Sequence, residues 1–425
     1  MHKIFCSFLF LFFINLNAQN TAILSWINTN AIVIEDAKPD TQLTAFAQNV
    51  PQKFKDARVF GFGEASHHGK EFFDLKAKFF KYLVEHQGVQ VFIMEESYQA
   101  EWGINAYITG GAGDKASVLK NFGQGIWYTN EVFELLQWMR DYNQGKPREA
   151  QVRFYGMDNQ FGKDINTRLR NYVKKNGIAM EENLLAAADS SSTVKFGKVT
   201  KDWAKNVQPK LQQIKQVLQQ NKEKLTTANA IEYNDMLRGL GYLEQYIVFL
   251  QGMYSQYRDR DMYDNVLNIL DLEGANSKAF IWAHNEHINK QNLYGSNRLE
   301  SLGSRLKEHF KEGYYATGFD FGSGVMKGYT IKNDQVVNSV YRTLDKPYKD
   351  TFAETLVLAQ PDVYFIDMAT AGTNVAASKF FGTKMKQLML GGPGFDPENT
   401  TFYSRKYTEA YDGLIFVKTI SPAKY

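Results

Sequence analysis

Hydrophobic positions change period along this chain, and the changes divide it. Val59-Phe60-Gly61-Phe62 is a short apolar run, as are Gln90 to Met94 and Val152 to Met157. Each reads as a buried strand. Between the first two, Phe72, Leu75, Phe79, Phe80 and Leu83 recur at the helical period, and Glu131 to Tyr142 repeats that pattern before the third. Strands alternating with helices predict an α/β fold, with a mostly parallel central sheet flanked by helices.

From residue 166 to 273 the strand signal stops. Val207, Leu211, Ile214, Val217 and Leu218, then Leu237, Leu240, Leu243, Ile247 and Leu250, mark long amphipathic helices. Pro209 suits a helix start, and Ser190-Ser191-Ser192-Thr193 reads as a turn or mobile segment. The alternating pattern returns with strand 278–283 and helix 298–310. Strands at Tyr314–Phe321, Asp362–Met368 and Leu414–Lys418 follow. The expected organisation is a first part of an α/β core over 19–165, a large inserted helical domain over 166–275, and the second part of the core over 276–425.

Residues 1–18 stand apart. Lys3 precedes the apolar run Ile4 to Ile14, and a small residue, Ala18, precedes a polar stretch. This is the pattern of a secretory signal peptide, and the run is short for a membrane span. The mature protein is therefore expected to be secreted or periplasmic, with no membrane association after cleavage. Cys6, the only cysteine, would leave with the leader. Disulfides, thiol catalysis and cysteine–zinc sites are then excluded. A net charge of +3, with 22% charged residues and no block of like charges, gives no reason to expect a nucleic-acid partner.

Histidine changes the picture most. Of seven in the chain, His2 falls in the leader, and four of the others sit in two motifs, Gly63-Glu64-Ala65-Ser66-His67-His68-Gly69 and Trp282-Ala283-His284-Asn285-Glu286-His287. Both follow predicted strands, where α/β sheets place their ligands. Imidazole titrates near neutral pH and serves as general base or metal ligand. Glu95-Glu96 and Asp158 end two further strands. No G-x-S-x-G elbow, H-E-x-x-H motif or complete dinucleotide loop is present. Two chemistries use such a set. A histidine oriented by a carboxylate can deprotonate an attacking water, or His and Glu can hold a metal that activates it. His284 and His287, three apart, share a face on a helical turn.

The motifs in order resemble the erythromycin esterase family. They run from Gly63-Glu64-Ala65-Ser66-His67 and Met94-Glu95 through Asn105-Ala106-Tyr107-Ile108, Trp127, Thr129-Asn130-Glu131-Val132 and Trp138 to Asn143. Phe154 to Asp158, Arg258-Asp259, Trp282-Ala283-His284-Asn285 and Gly318-Phe319-Asp320 complete them. The resemblance implies hydrolysis of a macrolide lactone by an activated water, with no cofactor named and metal dependence open. It places the catalytic residues at Glu64, His67, Glu95, His284 and His287. His284 ranks first as the base and His67 second; Glu95 would orient a histidine, and Glu64 and His287 would position substrate or stabilise the oxyanion. Lys76, Tyr107, Trp127 and Asp158 are the candidate substrate contacts. Lys76 stands where relatives often carry arginine, keeping the charge without the bidentate fork. A same-fold hydrolase of another ester, a metal-dependent hydrolase using His67, His284 and His287, and a non-catalytic ligand-binding protein are the alternatives.

Overall fold

The computed structural model describes residues 21–425 except Phe196, Asn297, Asn333, Asp334 and Pro393. The expected leader, residues 1–18, lies outside the described residues. The architecture is mixed α/β with mostly parallel strands, and the described residues divide into two compact units: 21–88, 129–131 and 282–425, and 89–128 and 132–281.

The strands in chain order are β1 (Ile32–Val33), β2 (Val59–Phe62), β3 (Val91–Ser97), β4 (Arg153–Asp158), β5 (Ala279–Trp282), β6 (Tyr314–Lys332), β7 (Gln335–Leu344), β8 (Val363–Asp367), β9 (Met385–Leu388), β10 (Phe402–Arg405) and β11 (Gly413–Ile420). In the first unit the order is β1-β8-β11-β6-β2. The β11–β6 and β6–β2 pairs are parallel, while β8 runs antiparallel to β1 and β11. β7 pairs antiparallel with β6, and β9 with β10. β2 is buried at all four positions, the continuous apolar run expected of a strand covered on both faces.

Helix α1 (Lys70–Gln87) follows the His67 loop and buries Phe72, Leu75, Phe79, Phe80 and Leu83. It stops at Gly88, whose φ of +70° supplies the left-handed C-cap that residues with a Cβ disfavour. Lys76 falls on this buried stripe, one turn after Phe72.

In the second unit β3 and β4 pair in parallel, with a register shift between Met94 and Ser97. The sequence pattern places this strand at Gln90 to Met94, ending at Glu95-Glu96. The strand runs on to Ser97, and both carboxylates lie buried within the irregular stretch. The stretch after β4 is helical: α2 (Ile165–Lys175), α3 (Glu182–Thr193), α4 (Lys201–Gln220), α5 (Lys222–Val248) and α6 (Tyr254–Glu273). Leu169, Leu211, Ile214, Leu218, Leu240, Leu243 and Ile247 form one apolar cluster there with Tyr98 and Tyr242. Two expectations fail locally. Ser190–Thr193 is the last turn of α3, where Ser191 Oγ donates back to the Ala187 carbonyl (2.7 Å). Pro209 lies inside α4, whose true start is Thr200, its Oγ1 accepting from the Trp203 N–H. No described helix is long and apolar enough to cross a membrane.

Candidate active site

Two strand ends of the first unit are stapled together by backbone. Ala283 N–H donates to the Phe62 carbonyl (3.2 Å) and Asn285 N–H to the Glu64 carbonyl (3.0 Å). Asn285 also bonds both ways with the Phe319 peptide of β6, at 2.7 and 3.0 Å. A Cβ on residue 63 would lie 2.1 Å from Asn285 Oδ1, so only glycine permits this approach. The consequence is that the Glu64–His67 loop and His284 become neighbours, with the His67 and His284 ring centroids 4.9 Å apart.

Glu64 is fully buried. Its Oε1 lies 2.5 Å from His67 Nδ1, and its Oε2 pairs with Lys76 Nζ. The lysine is also fully buried, and Nζ stands 3.9 Å above the Trp282 ring. A buried ammonium is tolerated where a carboxylate and an aromatic face replace its water. A carboxylate only accepts, so His67 Nδ1 carries the proton in this contact and Nε2 is the nitrogen that can take one.

His284 has the opposite arrangement. It N-caps helix α7 (Asn285–Ile288), and Nδ1 accepts from the Glu286 N–H at 3.4 Å. The neutral ring then carries its proton on Nε2 and presents a donor. His287 lies buried on the same short helix. Glu286 pairs with Arg405 and accepts from the Tyr294 N–H (2.7 Å), which occupies both carboxylate oxygens.

Glu95 and Asp158 belong to the second unit. Arg258 of α6 binds both: Nε and one terminal nitrogen fork onto Asp158 at 3.0 and 2.6 Å, and that nitrogen also reaches Glu95 at 2.8 Å. Gln160 and Gln124 add amide donors to Asp158 (2.5 and 3.4 Å). Glu96 is buried beside them. Burial pushes its pKa up to about 8, against the pull of backbone N–H donors from Ser97, Gln124 and Gly123. Arg258-Asp259 is among the motifs of the resemblance, but the sequence reading did not pair Arg258 with these carboxylates.

Tyr107 and Trp127 are buried in the second unit. The Tyr107 hydroxyl donates to Gln137 Oε1 (2.5 Å), and Arg140 stacks 4.7 Å from its ring. Trp127 is fully buried in a short 3-10 turn. Among the described residues no three His, Cys, Asp or Glu side chains converge as a metal-holding set.

A family model described as erythromycin esterase matches residues 84–420. That span includes Glu95, Asp158, His284 and His287, and begins after Glu64, His67 and Lys76. The erythromycin esterase type II of Escherichia coli is 23% identical over 438 residues, covering 93% of this chain and 97% of that protein. A Bacillus cereus protein of known crystal structure is similar with a TM-score of 0.83 at 21% identity, covering 95% of this chain and 98% of that one. An erythromycin esterase mutant in its open conformation is similar at a TM-score of 0.69 and 16% identity, covering 92% and 97%. At these identities the structural likenesses speak for the fold.

Proposed function

The chain belongs to the erythromycin esterase family, and from that premise we propose that this hydrolase opens the lactone ring of macrolide antibiotics such as erythromycin with an activated water. Family membership supports a hydrolase of the esterase type. The observation that carries the mechanism is the 2.5 Å contact between Glu64 and His67 Nδ1.

In this reading Glu64 fixes the His67 tautomer, and His67 Nε2 removes a proton from water as that water attacks the lactone carbonyl. The imidazolium that forms is stabilised by the carboxylate behind it. Positioned general-base catalysis of this kind is worth about 10²–10⁴ in rate. His284 Nε2–H, on the adjacent ring, donates to the oxygen that becomes negative. Collapse of the tetrahedral intermediate expels the ring alkoxide, which takes its proton back from His67 to leave a hydroxy acid. The geometry favours His67 over His284 as the base, reversing the order read from sequence, because His284 Nδ1 is already an acceptor for the Glu286 N–H. Lys76 closes the charge balance of Glu64 from inside the core, so its role is to hold the carboxylate. Glu95 and Asp158, gripped by Arg258, supply a fixed acidic wall in their own unit.

Export follows from the leader pattern of residues 1–18, and meeting the drug outside the cytoplasm would confer macrolide resistance. The deciding experiment is mass spectrometry of erythromycin incubated with the purified protein, beside His67→Ala and His284→Ala. Gain of one water with wild type, none with His67→Ala and slow gain with His284→Ala is the expected pattern. An unchanged drug with folded wild type would move the substrate to another ester. Full activity of His67→Ala would sink the assignment of the base.

A further inference from the structure

His68 follows the proposed base and takes no part in the reaction above, yet it is fully buried and bonded on both ring nitrogens. Nε2 faces the Gly392 carbonyl at 3.3 Å, and a carbonyl only accepts, so Nε2 carries the proton. Nδ1 is then an acceptor, and the Tyr425 hydroxyl donates to it at 2.7 Å. Tyr329 of β6 meets the imidazole edge-on at 5.5 Å, and Lys327 Nζ stands 3.7 Å above the Tyr425 ring. Burial, with smaller contributions from His67 and Lys327, pushes the His68 pKa down to about 3. Glu64 and Glu131 are the carboxylates that act on Tyr425.

The backbone of the same loop is strung between two distant segments. Leu390 N–H donates to the Ala65 carbonyl (2.9 Å), and Ser66 bridges Leu390. On the other side Ala423 N–H donates to the His68 carbonyl (3.0 Å), Gly69 bridges Pro422, and Lys70 N–H donates to the Ser421 carbonyl (2.8 Å). The His68 ring ties these two flanks to each other through Gly392 and Tyr425.

We infer that His68 and Tyr425 form a positioning pair that locks the loop at the geometry in which His67 Nδ1 meets Glu64. The inference rests on reading His67 as the base. Adjacent histidines then hold opposite tautomers, His67 protonated on Nδ1 and His68 on Nε2, and burial disfavours a charge on His68. A cation at residue 68 would oppose the imidazolium that His67 must become.

The test combines kinetics on erythromycin and p-nitrophenyl acetate with long-range ¹H–¹⁵N NMR of the imidazoles. Tyr425→Phe should lower kcat by about tenfold, what one hydrogen bond can be worth, with KM within about twofold. His68→Leu should cost more, and His68→Gln, which offers an amide oxygen to Tyr425 and an N–H to Gly392, should recover most of that loss. The double variant His68→Leu with Tyr425→Phe should be no slower than His68→Leu alone, because the hydroxyl acts only through the ring. Additive losses, an unchanged kcat in Tyr425→Phe, a loss confined to KM, or losses that track Tm across the series would overturn the pair. By NMR, wild type should show the two opposite tautomers, and Tyr425→Phe should broaden or shift the His67 Nδ1–H signal as well as those of the His68 ring it touches; an unmoved His67 signal rejects the inference. Because the spectra need no substrate, a wild type inert toward both esters would defeat the proposed function while the NMR still decides this pair.

Discussion

The first unit carries an imidazole cluster and the second a carboxylate cluster, and they solve the problem of buried charge differently. Around Glu64 the partners are His67, Lys76 and, through a ring contact, His284. An imidazole in that set can accept and return a proton. Around Arg258 the partners are Glu95 and Asp158, tied by the guanidinium fork. A permanently charged guanidinium between two carboxylates has no proton to give or take. The first arrangement suits proton transfer and the second suits rigidity. Mutations should therefore separate rate from stability.

The largest effect should come from His67→Ala. It should cost about 10²–10⁴ in kcat, the range of positioned general-base catalysis, with a smaller loss of stability than Arg258→Met, because Lys76 still neutralises Glu64. Arg258→Met should do the reverse to stability. Removing one partner of a buried ionic group costs about 3–5 kcal/mol because the others are left uncompensated. Chemical denaturation should show that loss, and a variant as stable as wild type would mean that Glu95 and Asp158 are held by their amide donors alone. A His67→Ala variant that unfolds as readily as Arg258→Met would erase the distinction between the clusters.

Two buried groups that flank these clusters in sequence, Glu96 beside Glu95 and His68 beside His67, should answer pH with opposite sign. Glu96 has its pKa raised by burial from 4.5 to about 8, so between these values the folded state holds a proton that the unfolded chain has released. Its contribution to stability is present in acid and is lost as pH rises from 4.5 through 8. His68 has its pKa lowered by burial from 6.5 to about 3, so there the unfolded chain binds the extra proton. Its contribution is complete above 6.5 and is lost as pH falls toward 3. Urea titrations at pH 4, 6 and 8 should find stability highest between the extremes. Glu96→Gln should flatten the alkaline arm and His68→Gln the acid arm, each by on the order of a few kcal/mol at most. An alkaline arm that persists in Glu96→Gln would assign it elsewhere.

How much of this was readable from the chain follows from the same division. The positions of Glu64, His67 and His284 were legible, because they follow apolar runs and the period places them; how they divide the roles was not. Lys76 enters the sequence reading only through the resemblance, as a substrate contact; its burial on the helix stripe and its pairing with Glu64 were not legible. The partners brought in by long-range packing were not. Arg258 meets Glu95 across 163 positions and Arg405 meets Glu286 across 119, and no local pattern specifies either pairing. β6 was expected to stop at Phe321 and runs to Lys332, because β7 supplies a partner that the sequence pattern did not announce. Pro209 misled for a physical reason: it lacks an N–H wherever it sits, and α4 accommodates it in its interior where flanking residues pack on the shared core.

The smallest effect tests whether aromatic residues in the motif segments belong to chemistry or to packing. Tyr107 was a candidate substrate contact on sequence. Its hydroxyl donates to Gln137, and its carbonyl accepts from Arg140, which also holds the Gly110 and Gly111 carbonyls. The ring and peptide thus organise the turn after Ile108, and removing the hydroxyl leaves Gln137 a side chain able to turn to water. Tyr107→Phe should cost about 1 kcal/mol or less, the net worth of a single hydrogen bond, and leave kcat and KM on the working substrate unchanged. A rise in KM without a change in Tm would put Tyr107 in contact with substrate after all, and the carboxylate-bearing unit would then contribute recognition as well as rigidity.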